Sequence, residues 1–462
     1  MEFDRKTIIA FVLIGLILIL INTEFYQRLM FGELPRPQPA DSLATKHESM
    51  VSEREPLRSG RTGEIETAES LKAPIDFSYE RNQARHIQIS TPLYSATFST
   101  LGATPISWQF KKYSDAEGNP VTLFKDGQNN LAIHLPMAED TLNTGTLNFR
   151  WENAYPFGDT IHLEPGQTYE LVFSRELVPG KSLRKIFTFS GSEYAYRFKI
   201  EFVGLQDLIQ GYSYLLSWQT PLESTEQSIA EDMSYTKAYA LANKELEEFD
   251  IGSKAYASAG NNDWATSWVA IRTKYFTVAA IPEGEQGTGV RFVGRTSKGM
   301  RGVEHKAYQM YLAMPLYREG QSGHSFTVYT GPLDYKIVKS LGVELERMMN
   351  LGWKVIQPFS IMILWMFTFL HNFIPNYGVV IIVFSILVKI VLHPLTKKSY
   401  QSMKEMQELQ PQMTALREKY SNDPQKMNAE IMRLYKEHGV NPLGGCLPML
   451  LQMPLLYALF IV

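Results

Sequence analysis

The stretch Tyr377-Gly-Val-Val-Ile-Ile-Val-Phe-Ser-Ile-Leu-Val-Lys389-Ile-Val-Leu-His393-Pro-Leu395 decides how the chain is to be read. At about 1.5 Å per residue, a helix of this length crosses a hydrocarbon core of about 30 Å. A lysine stands inside it, where a bilayer centre charges about 2.5–3.5 kcal/mol for the cation. Two readings of Lys389 stand. It lies about six residues, roughly 9 Å, from the polar end of the run, so its stem can snorkel out. Alternatively, Ser385, Lys389 and His393 at i, i+4 and i+8 form one polar stripe, wasted against lipid and satisfied against a wet cavity.

Working outward, a basic, Met-rich segment follows as a cytoplasmic helical hairpin over 396–440. Met403, Met406, Met413, Leu416 and Tyr420 mark the apolar positions of its first arm, and Met427, Ile431, Leu434 and Tyr435 those of its second. Ser421-Asn-Asp-Pro424 supplies the turn and N-cap. A self-packed hairpin with solvated charges explains most of these residues. A client-contact role for Met403, Met406, Met413 and Met427 rests on the flexible thioether, which suits varied apolar partners. The run over 441–462, Asn441-Pro-Leu-Gly-Gly-Cys446-Leu-Pro448-Met-Leu-Leu-Gln452-Met-Pro454 and onward, reads as another span. Prolines in a lipid-facing helix leave backbone groups unsatisfied, so this one is expected in a bundle or beside a wet cavity. Gln452 either cross-links helices or lines that cavity.

The segment Lys389-Ile-Val-Leu-His-Pro-Leu-Thr-Lys397, the Met-rich hairpin and Asn441 to Pro454 together resemble the YidC family of membrane protein insertases. The resemblance implies a hydrophilic intramembrane groove, open to the cytoplasm and to lipid, holding one positive charge. It assigns that charge to Lys389 and groove-lining roles to Ser385, His393 and Gln452. Most members carry Arg at the matching place, so a point charge here replaces a planar fork. Implied partners are nascent inner-membrane proteins, the ribosome, the Sec translocon and the lipid bilayer, with no cofactor. The implied localisation is the bacterial inner membrane, multi-pass, with a large periplasmic domain. Because members continue through three further spans, a C-terminally truncated sequence is expected.

The other end of the chain fits the same plan. Ile8 to Ile21 is an uninterrupted apolar run behind Arg5-Lys6. A cleavable signal peptide has an apolar core of this length, but Glu24, Phe25, Tyr26 and Gln27 stand where small residues would be needed. A transmembrane signal anchor over 1–28 is therefore expected, with its N-terminus in the cytoplasm. Residues 29–74, rich in Pro, Ser, Glu and Thr, read as a disordered linker; Pro35-Arg-Pro-Gln-Pro39 is a spacer or a polyproline ligand.

Between 75 and 341 the pattern turns to short alternating strands. In Tyr194-Ala-Tyr-Arg-Phe-Lys-Ile-Glu-Phe202 the aromatic and aliphatic residues share one face, and Arg197, Lys199 and Glu201 share the other. Ser190-Gly-Ser-Glu193 turns it back onto Ile186-Phe-Thr-Phe189. Further strands are expected at His86 to Ser90, Tyr94 to Thr100, Thr168 to Arg175, Tyr212 to Gln219, Trp268 to Ile281, Ala307 to Met314 and Ser325 to Tyr329. The composite is an α + β membrane protein: an N-terminal anchor, a large periplasmic antiparallel β-sandwich, then an α-helical transmembrane core with the hairpin. The resemblance makes the sandwich a mutarotase-like supersandwich. Residues 342–375, apolar over Val355 to Leu370, read as a periplasmic interfacial amphipathic helix. A span there would turn Lys397, Lys398 and Lys404 to the outside.

With 45 basic and 48 acidic residues among 462, no bulk charge points to nucleic acid. One cysteine excludes an intramolecular disulfide. His86, His134, His162, His305 and His324 lack the short spacing of a helical metal site, and Trp108 and Trp264 read as core or rim residues. No P-loop is present, so the chain supplies no nucleotide energy of its own and is read as a non-enzyme. The alternative function is a membrane-anchored periplasmic module that binds a carbohydrate or a partner; a channel fragment is a third reading.

Overall fold

Alternation of period two needs a surface with a dry side and a wet side, and the strand Ala195–Val203 has both. Tyr196, Phe198, Ile200 and Phe202 are buried while Arg197 and Lys199 are exposed. It pairs antiparallel with Lys181–Ser190 on one side and Gly323–Pro332 on the other. The hairpin turn holds a glycine for a steric reason: a Cβ on Gly191 would lie 2.0 Å from the carbonyl oxygen of Glu164. These coordinates are a computed structural model describing residues 84–137, 140–154, 158–298, 304–317, 323–352, 355–421, 423–439 and 447–461. The expected anchor over 1–28, the linker over 29–74 and the motif residues 441–446 lie outside the described residues.

The strands make sheets of five, nine and six members. The five-stranded sheet runs from Pro120–Phe124 to Thr160–His162, whose pairing with His86–Ser90 is parallel; the other strand pairs are antiparallel. Its Trp108 stacks on Tyr94 at 4.3 Å and on Tyr196 of the nine-stranded sheet at 5.4 Å. The six-stranded sheet, ordered Tyr256–Asn261, Gly289–Lys298, Glu304–Pro315, Ser213–Trp218, Ala132–Pro136 and Thr141–Asn143, buries Trp218 against Phe124 at 5.0 Å. Trp108 is thus core, and Trp264 is half-buried at its margin. Two short helices serve this domain: α1 (Ile229–Tyr235), capped by Ser228, and α2 (Tyr335–Ser340), whose cap Asp334 accepts from the N–H groups of Lys336 and Ile337 at 2.8 and 3.1 Å.

One expected strand, Trp268 to Ile281, is two. Thr266–Arg272 and Phe276–Glu283 pair as a hairpin about Thr273, whose hydroxyl accepts from the N–H of Phe276 at 3.3 Å. A side chain makes this turn, so no Gly, Asn or Pro marks it in the sequence.

The described residues fall into two compact units that divide at Met348 and Met349. The second is helical: α3 (Gln357–His371), α4 (Tyr377–Lys419), α5 (Pro424–Glu437) and α6 (Leu447–Ile461). Asn376 starts α4 by accepting from the N–H groups of Gly378 and Val379 at 2.8 and 3.4 Å. The helix then continues for 43 residues, through Pro394 and Pro411, without a break at the point where the apolar run gives way to the hairpin. Ile363 of α3, Phe384 of α4 and Ala458 of α6 form the buried seam of this unit, flanked by Phe367, Val388 and Leu455.

Candidate functional site

Tyr377 to Pro394 is the only described stretch of helix long and apolar enough to cross a membrane; α3 and the stretch Gln452–Ile461 of α6 are apolar but shorter. On α4 the residues packed inward, Val380, Phe384 and Val388, recur every fourth position. At about 100° per residue, Ser385, Lys389 and His393 are centred roughly 140° round the helix from them. All three are exposed, on one face, away from the seam.

The stripe has defined chemistry. Ser385 donates its hydroxyl to the carbonyl of Ile381 at 2.8 Å, leaving its oxygen as an acceptor toward the outside. Pro394 has no N–H for the carbonyl of Ile390, so a backbone acceptor is also released next to Lys389. Thr396 repeats the serine arrangement about three turns on, donating to Leu392 at 2.9 Å. Lys389 therefore shares a helix face with a serine hydroxyl able to accept and stands one residue from a released backbone carbonyl. Gln452 is exposed on α6, and its neighbours Leu455 and Leu459 pack on the seam while Met453 and Leu456 point away. α6 packs on α3 and α4, so Gln452 belongs to the same small bundle as the stripe.

The hairpin packs on itself. Asp423 caps α5 by accepting from the N–H of Lys426 at 3.0 Å, and the hydroxyl of Tyr435 lies 3.3 Å from the sulfur of Met413. Leu409 and Leu434 are buried between the arms. Met406, Met413 and Met427 are half-buried in that seam, whereas Met403 is exposed. Met432, absent from the sequence reading, is exposed as well, on the outer side of α5. Its signal was available: it sits one position past Ile431, off the apolar stripe.

In the β domain the histidines are dispersed, and among the described residues no three His, Cys, Asp or Glu side chains gather as a metal site would require. His324 is buried, with Nδ1 3.0 Å from the Tyr214 hydroxyl and Nε2 3.5 Å from Glu285; burial lowers its pKa more strongly than Glu285 raises it. A cleft of about 500 Å³ opens beside Arg150, Glu152, Arg175 and Glu176. Its charges are engaged locally: Glu152 pairs with Arg184 at 2.9 Å and Arg175 donates to the carbonyl of Asn148 at 3.0 Å.

Residues 86–366 match the family described as the YidC periplasmic domain, and residues 369–462 the family described as the 60Kd inner membrane protein. The chain belongs to the YidC family of membrane protein insertases. The membrane protein insertase YidC of Chlorobium luteolum is 32% identical over 470 residues, which are 99% of this chain and 77% of that one. The YidC of Chlorobium phaeovibrioides is 35% identical over 392 residues, 83% of this chain and 66% of that one. A solved structure of an aldose epimerase homologue from C. elegans overlaps 54% of this chain and 99% of its own, at 10% identity and a TM-score of 0.32. The large β-rich domain followed by C-terminal helices is the arrangement a YidC with a periplasmic domain requires.

Proposed function

We propose that this chain is an insertase and chaperone for inner-membrane proteins, working through a hydrated recess in the membrane that holds the Lys389 charge. The observation that carries the reading is the polar stripe on the unpacked side of α4, the one helix of membrane length among the described residues. The hydrophobic segment of an arriving client meets the hairpin, at Met403 and Met432 first. Its acidic or polar flank enters the recess, drawn by the Lys389 ammonium where the dielectric is reduced. Ser385, His393 and Gln452 keep the recess wet, so the flank crosses a shortened barrier. The apolar segment leaves sideways into lipid, and hydrophobic partitioning supplies the drive.

Orientation follows from charge. Lys397 and Lys404 put the hairpin in the cytoplasm by the positive-inside rule, which sets Asn376 and the β domain on the periplasmic side. α3 then lies at the periplasmic interface, a reading supported by the reach of the periplasmic-domain match to residue 366. Nascent chains and the bilayer are the partners that the family membership supports. The ribosome and the Sec translocon are proposed from the resemblance. Replacing Lys389 with Gln in proteoliposomes tests the mechanism: clients with acidic external flanks should insert several-fold less efficiently, and clients with neutral flanks should be spared. Equal insertion of both classes would refute the role of the charge.

A further inference from the structure

Strand register brings residues from distant parts of the sequence into one row on the outer face of the six-stranded sheet. Gly260, Arg291, Tyr311, Ser217 and Ala132 stand in line across five strands. In the next row His134 stands opposite Leu215, and its ring centre is 6.0 Å from that of Tyr311. The inner faces of these strands, with Met310, Leu312 and Trp218, belong to the core. On this outer face Arg291, His134, Tyr311, Gln309, Gln219 and Asn129 are half-buried, while Ser217 is buried beneath them with its hydroxyl also 3.3 and 3.4 Å from the carbonyls of Asn129 and Ala132.

Those groups are held in fixed orientations by one another. The Nε2 atom of His134 lies 2.9 Å from the hydroxyl oxygen of Ser217, and Gln219 donates to that oxygen at 3.4 Å. The side chain of Asn129 donates to that of Gln219 at 3.2 Å, and Tyr311 donates to Gln309 at 3.1 Å. Each amide keeps further donor and acceptor capacity beyond these bonds. An aromatic ring beside clustered amides and hydroxyls is chemistry suited to a polyol with apolar faces and many hydroxyls.

The charge of this outer face has one sign among the described residues. Arg291 is half-buried, Arg295 lies over the Tyr256 ring at 5.8 Å, and neither has an ion pair or hydrogen bond among the described residues. Beneath this face, Lys185 is buried and donates to the carbonyls of Gly102 and Leu131, both at 2.8 Å, with no carboxylate beside it among the described residues. Burial first, and the Lys185 charge second, push His134 down to about 4, so its ring is neutral near pH 7. The guanidiniums bearing on the Tyr311 hydroxyl are those of Arg291 and Arg295, and among the described residues no carboxylate bears on it or on His134. A half-buried guanidinium without a counter-ion among the described residues is the complement of a carboxylate or phosphate.

We propose that this outer face binds an anionic carbohydrate, with its carboxylate or phosphate on Arg291 and its hydroxyls on Tyr311 and the Gln219 and Asn129 amides, which the buried Ser217 hydroxyl helps to orient. An acidic peptide would also satisfy the arginines, but it brings no row of hydroxyls to the amide cluster and the Tyr311 ring, which is the difference the test reads. The proposal is independent of the insertion mechanism, since none of these residues lies in the helical unit.

The test is calorimetric titration of the full chain in detergent micelles with glucuronate, glucose, inorganic phosphate and a tetraglutamate peptide. Glucuronate should bind at least about tenfold more tightly than the other three, and Arg291→Gln should weaken it by a similar factor. Tyr311→Phe, which keeps the ring and removes the hydroxyl, should weaken it less, and Arg197→Gln, on the nine-stranded sheet, should leave it unchanged. Melting midpoints matching the parent establish that each variant is folded. The proposal is overturned by an absence of glucuronate binding, or by phosphate or tetraglutamate binding as tightly as glucuronate. It is equally overturned if folded Arg291→Gln binds like the parent.

Discussion

The β domain buries Trp108, Trp218 and Trp268 to within 1% of complete exclusion from solvent, whereas the helical unit leaves Phe460 89% and Val391 70% exposed. Both regions are rich in large apolar side chains, yet only one folds them inward. Alternating strands have two faces with different compositions, so three sheets can close around a shared aromatic core and present charge outside. In α6 and in the stretch Tyr377 to Pro394 of α4 apolar residues cover most of the helix surface, and the seam of Ile363, Phe384 and Ala458 uses only one side. The remaining apolar surface calls for a second apolar solvent, and a bilayer supplies one. Within that surface a stripe of Ser385, Lys389 and His393 is the exception that carries the proposed function.

The contrast can be broken by core truncation. Trp108→Ala should cost about 3–5 kcal/mol, because a large ring stacked between Tyr94 and Tyr196 leaves both a cavity and lost contacts. Phe384→Ala, in a seam already surrounded by apolar solvent, should cost less than half as much in bilayers, since little transfer free energy from water is lost. Denaturation of each variant in lipid, followed by near-ultraviolet circular dichroism, measures both. Equal costs would mean that the two regions are built on one principle.

A smaller effect sharpens the β-domain side. Burial lowers Lys185 from its ordinary value of 10.5 to about 7. Between these values the unfolded chain holds a proton that the folded chain lacks, so stability should rise with pH. The slope contributed by one such proton is about 1.4 kcal/mol per pH unit. Below about pH 7 this contribution is flat, because both states are protonated. Buried tyrosines such as Tyr196, raised by desolvation, act in the opposite sense only at higher pH, so measurements belong between about 7 and 9.5. Lys185→Met should remove the slope; an unchanged slope would place the titrating group elsewhere.

Much of the β domain was legible because period-two alternation is written locally, as in Tyr194 to Phe202. The Trp268 to Ile281 hairpin was not, because Thr273 makes its turn with a hydroxyl. In the helical unit, the spacing of Ser385, Lys389 and His393 showed the stripe at once, since residues four apart share a helix face. The sequence could not say which way that stripe points, because direction depends on Ile363 and Ala458 packing against Phe384. The polar row on the six-stranded sheet was hidden for a related reason. Arg291, Tyr311, Ser217 and His134 come from four strands, and only register sets them side by side.

The most direct test of the central claim is thiol accessibility along α4 in native membranes, with Cys446→Ser as the background. A membrane-impermeant thiol reagent applied from the cytoplasmic side should modify Ser385→Cys, Lys389→Cys and His393→Cys. It should spare Leu387→Cys and Val391→Cys, which lie about 160° round the helix from Lys389, on the side away from the stripe. Reactivity with that four-residue period is the expected result. Protection of position 389 equal to that of 387 and 391 would place the lysine in lipid and contradict the account.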